Sequence, residues 1–206
     1  MSKPPILQEG QSYTFRSYFE MPYEPDEILA ELGYALVRSR LSLPKTTTPF
    51  ERLPELRQRI EKILPLVSLT SETARRETLV APVLIEVATY CNCQLRIEYP
   101  LSVNNWLKGN LDYLLRSTQS LLVVEAKNDD MTRGFTQMAV ELIALSKIEE
   151  QDVFYGAVTI GNAWQFGILN VSQQQITQDI ALYSIPDDLE ELTNILVGIS
   201  QRKNSL

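Results

Sequence analysis

The feature that most limits how this chain folds is the run LLVVEAK at residues 121–127. It is strongly apolar, too short for a helix of its own, and reads as a strand. Two further strand-like runs precede it, at 94–99 and 111–115. A long helix is predicted over 71–90, with Ser71 as its N-cap and a kink expected at Pro82. A second helix is predicted over 133–148. Strands at 153–160 and 164–169 follow, joined by a hairpin-like turn, Gly161-Asn162-Ala163. A final helix, 186–200, opens on the acidic run PDDLEEL. From residue 71 the order is α-β-β-β-α-β-β-α, which predicts an α/β or α+β architecture: a mixed sheet with helices packed against it.

The first 70 residues read differently. The aromatic-rich YTFRSYF at 13–19 reads as a short strand. Residues 25–32 form a helix with Pro at its start, acids in its first turn and Gly33 as its stop. A strand follows at 34–43, and an amphipathic helix at 50–64. Between them lies PKTTTP, the best candidate for an internal boundary. The expected organisation is an extension, 1–70, packed on a core domain, 71–206, that ends in the acidic helix.

Composition removes several chemistries. The chain has no histidine, which excludes Ser-His-Asp and Cys-His hydrolases, His-ligated zinc and a histidine base. Acid-base or metal chemistry falls to carboxylates, lysine, tyrosine or bound water. Cys91 and Cys93 form a CxC pair that does not fill a zinc shell and reads as reduced and structural. The N-terminal MSKPPILQEGQ has no apolar signal core. No stretch reaches roughly 18 apolar residues, so a cytoplasmic protein with no membrane contact is expected. Of the net charge of -7, residues 148–206 carry -6, from two Lys/Arg and eight Asp/Glu. The acidity therefore lies away from the central segment, although the global field gives nucleic acid no steering.

Alternation along a strand puts Glu125 and Lys127 on one face and Ala126 on the other. Asp112 shares a face with Leu114 on the preceding strand. If the two strands pair through a hairpin at 116–120, Asp112 comes close to Glu125. Two carboxylates and an ammonium then converge, an arrangement suited to Mg²⁺ with its preference for hard oxygen ligands. Such an ion acidifies water and polarises a phosphoryl oxygen, and the lysine stabilises transition-state charge. An ExK pair is ordinarily a solvated ion pair. What sets this one apart is its place at the end of an apolar run, after an Asp in a second apolar run.

In these residues the stretch 71–169 resembles the PD-(D/E)xK phosphodiesterase superfamily, the restriction-endonuclease-like fold. The resemblance implies a core order α-β-β-β-α-β, with Asp112 as the motif Asp, Glu125 as the motif acid and Lys127 as the motif lysine. It also implies an acid on the first helix and often a Gln on the helix after the triplet. The run SETARRETLVAPVL is similar to the nuclease domains of restriction-type helicase subunits. The whole chain looks like a set of small uncharacterised cyanobacterial proteins. For the helix acid, Glu72, Glu77 and Glu86 compete. On a helical wheel they lie about 80°, about 60° and about 120° from the centre of the apolar face. Glu77 is therefore chosen as a catalytic and metal-binding residue beside Asp112 and Glu125. Gln137 is the candidate for the Gln position, although Phe135, Met138, Ala139 and Leu142 define the buried face of its helix. Leu111 stands where many members have Pro, and Asp129-Asp130 would repel phosphate unless turned away. Lys108, Arg116, Arg133 and Lys147 are the basic residues available for a groove.

The resemblance implies a Mg²⁺- or Mn²⁺-dependent nuclease acting on DNA. The alternative is a catalytically inactive protein of the same fold with a binding or regulatory role. A homodimer, and a protein partner at the acidic C-terminal helix, are further expectations. No GxGxxG or Walker loop points to a nucleotide enzyme.

Overall fold

The computed structural model describes residues 4–117 and 120–202. The chain is a mixed α/β protein built on one eight-stranded sheet flanked by helices. In chain order its main elements are α1 (Phe15–Glu20), α2 (Pro25–Glu31), β1 (Ala35–Ser39), α3 (Leu53–Ile63), α4 (Glu72–Arg75) and α5 (Ala81–Cys91). Then come β2 (Gln94–Ser102), β3 (Lys108–Arg116), β4 (Leu121–Ala126), α6 (Met131–Leu145), β5 (Val153–Thr159) and β6 (Ala163–Asn170). β7 (Gln175–Asp179), β8 (Tyr183–Ser184) and α7 (Leu189–Ser200) complete it. Sheet order is β1-β7-β6-β5-β4-β3-β2, with β8 beside β6. The β2-β3-β4 strands are antiparallel, β4 and β5 are parallel across α6, and β1 lies parallel to β7.

β4 is interior, and all six of its residues are buried. Leu122, Val124 and Ala126 pack towards α3, α5 and α7, while Leu121 and Val123 pack towards α1, α2 and α6. A strand covered on both faces reads as a continuous apolar run, so the one charge inside it stands out. Residues 118 and 119, within the turn expected between β3 and β4, lie outside the described residues.

The run 13–19, expected as a strand, is helical from Phe15 onward. Phe15 and Tyr18, three apart, are each only 1% exposed and pack with the α6 side of the core. That is helical spacing, and burial of the two rings stabilises the turn by roughly 2–3 kcal/mol each. Ser17 Oγ accepts the backbone N–H of Thr14 at 3.0 Å and closes the N-terminus. The N-terminal 70 residues thus join both faces of the sheet, and β1 becomes one edge of it.

The predicted helix at 71–90 is interrupted. Ser71 caps it, its Oγ accepting from Ala74 N at 3.1 Å. Arg76–Val80 then form a π turn, in which the Ala81 N–H bonds the Arg76 carbonyl. The turn precedes Pro82, whose missing N–H and ring would break a regular α-ladder there. β7 and β8 have no counterpart in the sequence reading, because QITQD is too polar to announce a strand. α7 is mostly buried, and its acidic Glu191 meets Lys45 at 2.6 Å. Both cysteines are free and half-buried. No helix among the described residues is long and apolar enough to cross a membrane.

Candidate active site

Tyr113 pairs with Val124, so the next position of the same register sets Asp112 across from Glu125. The ladder stops there. Asp112 Oδ2 accepts the Ala126 N–H at 2.9 Å, taking the donor that a continuing strand pair would have used. The two strands part at this point, and a cavity of about 560 Å³ opens between their ends, α1 and the α4–α5 region. Asp112, Glu125, Lys127 and Gln137 all line it.

Lys127 follows directly after β4, and its Nζ lies 2.6 Å from Glu125 Oε1. The ammonium also sits 4.8 Å from the centre of the Phe19 ring of α1. Gly134 lets the first turn of α6 close on this lysine, since a Cβ there would stand 2.9 Å from Lys127 Cγ and 2.8 Å from Val158 Cγ2. Burial alone would lower the lysine's pKa, but Glu125 and Asp112 outweigh it and raise it. Lys127 is therefore charged throughout the neutral range.

Gln137 is buried, and its amide nitrogen donates to Glu125 Oε1 at 2.7 Å and to Glu141 Oε1 at 2.9 Å. Glu141 was not singled out from the sequence. It lies one turn beyond Gln137 and is wholly buried. Burial pushes its carboxyl up to about 8. Glu125 is likewise raised well above the carboxylate range, first by burial and then by Glu141 and Asp112. In both carboxyls burial is the largest cause of the rise, and both accept from the one Gln137 amide. The adjacent ammonium favours the charge on Glu125.

Of the three helix acids weighed, Glu72 is the one at the cavity. Glu77 is exposed and does not line it. The wheel that favoured Glu77 assumed a regular α-helix. A π turn takes roughly one more residue per turn, which rotates everything before it relative to α5. Glu72 swings towards the apolar side and Glu77 away from it. Glu86 is elsewhere, with its carboxylate paired to Arg52 and Arg59 at 3.2 and 3.4 Å. Burial raises the pKa of Glu72 and that of Asp112, with Arg76 opposing the rise in both.

The cavity's cationic walls also differ from expectation. None of Lys108, Arg116, Arg133 and Lys147 lines it; Arg16, Arg76 and Lys127 do. Arg116 forms a bidentate pair with Glu149 at 2.7 and 3.1 Å, and Arg133 pairs with Asp130 at 3.5 Å. Asp130 is turned to the α6 N-terminus, where it accepts the Arg133 N–H at 2.9 Å. Asp129 remains at the cavity wall.

The donor chemistry suits a hard divalent cation. Glu125 Oε2 is buried with no hydrogen-bond partner among the described residues, and it belongs to the same cavity as Asp112. Among those residues, no three acidic or thiol side chains converge as they stand into a ready ligand set. Both central carboxylates are paired instead: Arg76 Nη1 sits 3.2 Å from Asp112 Oδ1, and Lys127 Nζ lies 2.6 Å from Glu125 Oε1. The wall as a whole keeps an acidic excess, with Glu72, Glu98, Asp112, Glu125 and Asp129 facing Arg16, Arg76 and Lys127. No protein-family model matches this sequence, and no curated protein matches it either.

Proposed function

We propose that the cavity is a phosphodiesterase site acting on DNA, of the restriction-endonuclease-like kind, with Asp112 and Glu125 as the holders of a Mg²⁺ or Mn²⁺ ion and Glu72 as the nearby helix acid. The observation that carries the reading is a buried Glu125 oxygen with no hydrogen-bond partner among the described residues, in one cavity with Asp112 and on a carboxylate whose other oxygen lies 2.6 Å from the Lys127 ammonium. A divalent ion held there supplies neutralisation of phosphoryl charge and a more acidic water. Lys127 supplies a fixed positive charge where negative charge grows on the phosphoryl oxygens. Gln137 fixes the Glu125 carboxylate through its amide, and Phe19 covers the lysine's outer side. Burial of these groups keeps bulk water from weakening the field.

A second reading, a nuclease-fold protein that binds without cleaving, draws on the Arg76–Asp112 contact, which already neutralises one of the two central carboxylates. Cleavage of duplex and single-stranded DNA separates them. The first reading expects nicking or degradation with Mg²⁺ or Mn²⁺, abolished by Lys127→Ala and by EDTA. Cleavage that survives either treatment overturns it. Binding of DNA with no cleavage in any divalent ion supports the second.

A further inference from the structure

Arg76 leaves the π turn and meets three side chains with its guanidinium. Nη1 lies 3.2 Å from Asp112 Oδ1, Nη2 lies 2.7 Å from Glu98 Oε1, and Nε donates to the Tyr113 hydroxyl at 3.4 Å. The guanidinium carbon stands 5.1 Å from the centre of the Tyr113 ring. The two carboxylates differ. Asp112 is 13% exposed in its side chain and Glu98 is 51% exposed, yet the shorter contact is to Glu98. Glu98 has φ 52, in the left-handed region that few non-glycine residues adopt. The pairs Ile97–Tyr113 and Tyr99–Leu111 bracket it and set it across from Asp112 on the neighbouring strand. One guanidinium is therefore shared between carboxylates facing each other on β2 and β3.

We propose that Arg76 is an internal counter-cation that holds Asp112 until a divalent ion displaces it, and that Glu98 is the tether that keeps the displaced guanidinium at the cavity. The inference rests on the reading of Asp112 and Glu125 as cation holders. Asp112 Oδ2 is fixed by the Ala126 N–H, so Oδ1 is the oxygen free to change partner. A guanidinium does not lose its proton in a protein, so Arg76 leaves Asp112 only by moving. Once moved, it remains bound to Glu98 and stacked on Tyr113, with its fork of donors in the cavity that Lys127 also lines. Two fixed cations then face any phosphate that enters, and a guanidinium fork matches phosphoryl oxygens. The pair thus sets the affinity for the ion and couples its arrival to the exposure of a phosphate-binding group.

The test is titration of the full-length protein with Mn²⁺, following free Mn²⁺ by electron paramagnetic resonance, with cooperative melting checked for each variant. Arg76→Gln is expected to bind Mn²⁺ about tenfold tighter than the natural sequence, the scale of one charged hydrogen bond. Glu98→Gln leaves Arg76 wholly on Asp112 and is expected to weaken binding by roughly threefold, the scale of a part-exposed ion pair. Glu125→Gln should abolish site binding. If Arg76→Gln binds no tighter while Glu125→Gln still abolishes binding, the counter-cation proposal is overturned and the cation site stands. If neither the natural protein nor Arg76→Gln binds Mn²⁺ saturably, both fall. Should Arg76→Gln not fold, Arg76→Met serves, since it removes the charge and keeps an unbranched apolar stem; binding no tighter than the natural protein's overturns the proposal.

Discussion

Replacing Glu141 with glutamine isolates what two buried carboxyls cost the native state. Glu141 is wholly buried, and burial lifts its carboxyl from 4.5 to about 8. Below pH 4.5 the folded and unfolded chains both bind this proton, and stability is unaffected. Above it the unfolded chain releases the proton while the native chain retains it, so stability falls as pH rises until the native carboxyl ionises near 8. Between pH 4.5 and pH 7 the mismatch accumulates to about 3 kcal/mol. Glu125, Asp112 and Glu72, also raised, act in the same direction. Glutamine keeps the size and the carbonyl that accepts from Gln137, and it has no proton to lose. Glu141→Gln is therefore expected to be more stable than the natural protein by about 3 kcal/mol at pH 7, and by less than about 1 kcal/mol at pH 5. Urea unfolding at the two pH values, followed by the fluorescence of the fully buried Trp164, measures both differences. An equal loss of stability at pH 5 and pH 7 would refute the argument, because a purely structural role for Glu141 carries no pH dependence.

Three further outcomes follow from the same contacts. Glu72→Gln should weaken Mn²⁺ binding and Glu77→Gln should leave it unchanged, measured by the same titration; the reverse pattern would restore the regular-helix phase. Gly134→Ala places a methyl 2.9 Å from Lys127 Cγ and 2.8 Å from Val158 Cγ2, and should cost about 1–3 kcal/mol in denaturant unfolding. An unchanged midpoint would show that α6 does not bear on the lysine. Phe15→Ala should cost about 3–5 kcal/mol, since its ring is 1% exposed within the α6-side core; a loss below about 1 kcal/mol would mean that α1 is not part of the folded core.

The centre of the site was legible because it obeys strand rules. Alternation alone aligned Glu125 with Lys127, and the expected hairpin brought Asp112 close to Glu125. Those rules hold because β4 is interior and its register is fixed by burial on both faces. Residues governed by departures from regular geometry were not legible. Glu72 depends on a π turn that the sequence announces only through Pro82. Glu98 depends on a left-handed residue inside a strand. Glu141 was hidden because an acid four positions after Gln137 looks like a solvated helix residue unless its partner is known. The run 13–19 was misread because its aromatics satisfy strand propensity while their spacing is helical. Arg76 gave no signal at all, since its role arises from contacts across 22 and 36 positions of chain, to Glu98 and Asp112.

The central claim is that Asp112 and Glu125 jointly hold a divalent cation. Anomalous diffraction from a crystal soaked in Mn²⁺ addresses it directly. The account predicts one strong peak between these two carboxylates, with the Arg76 guanidinium drawn off Asp112 and still on Glu98. A cavity that takes up no manganese at saturating concentration, with Arg76 still seated on Asp112, would contradict it.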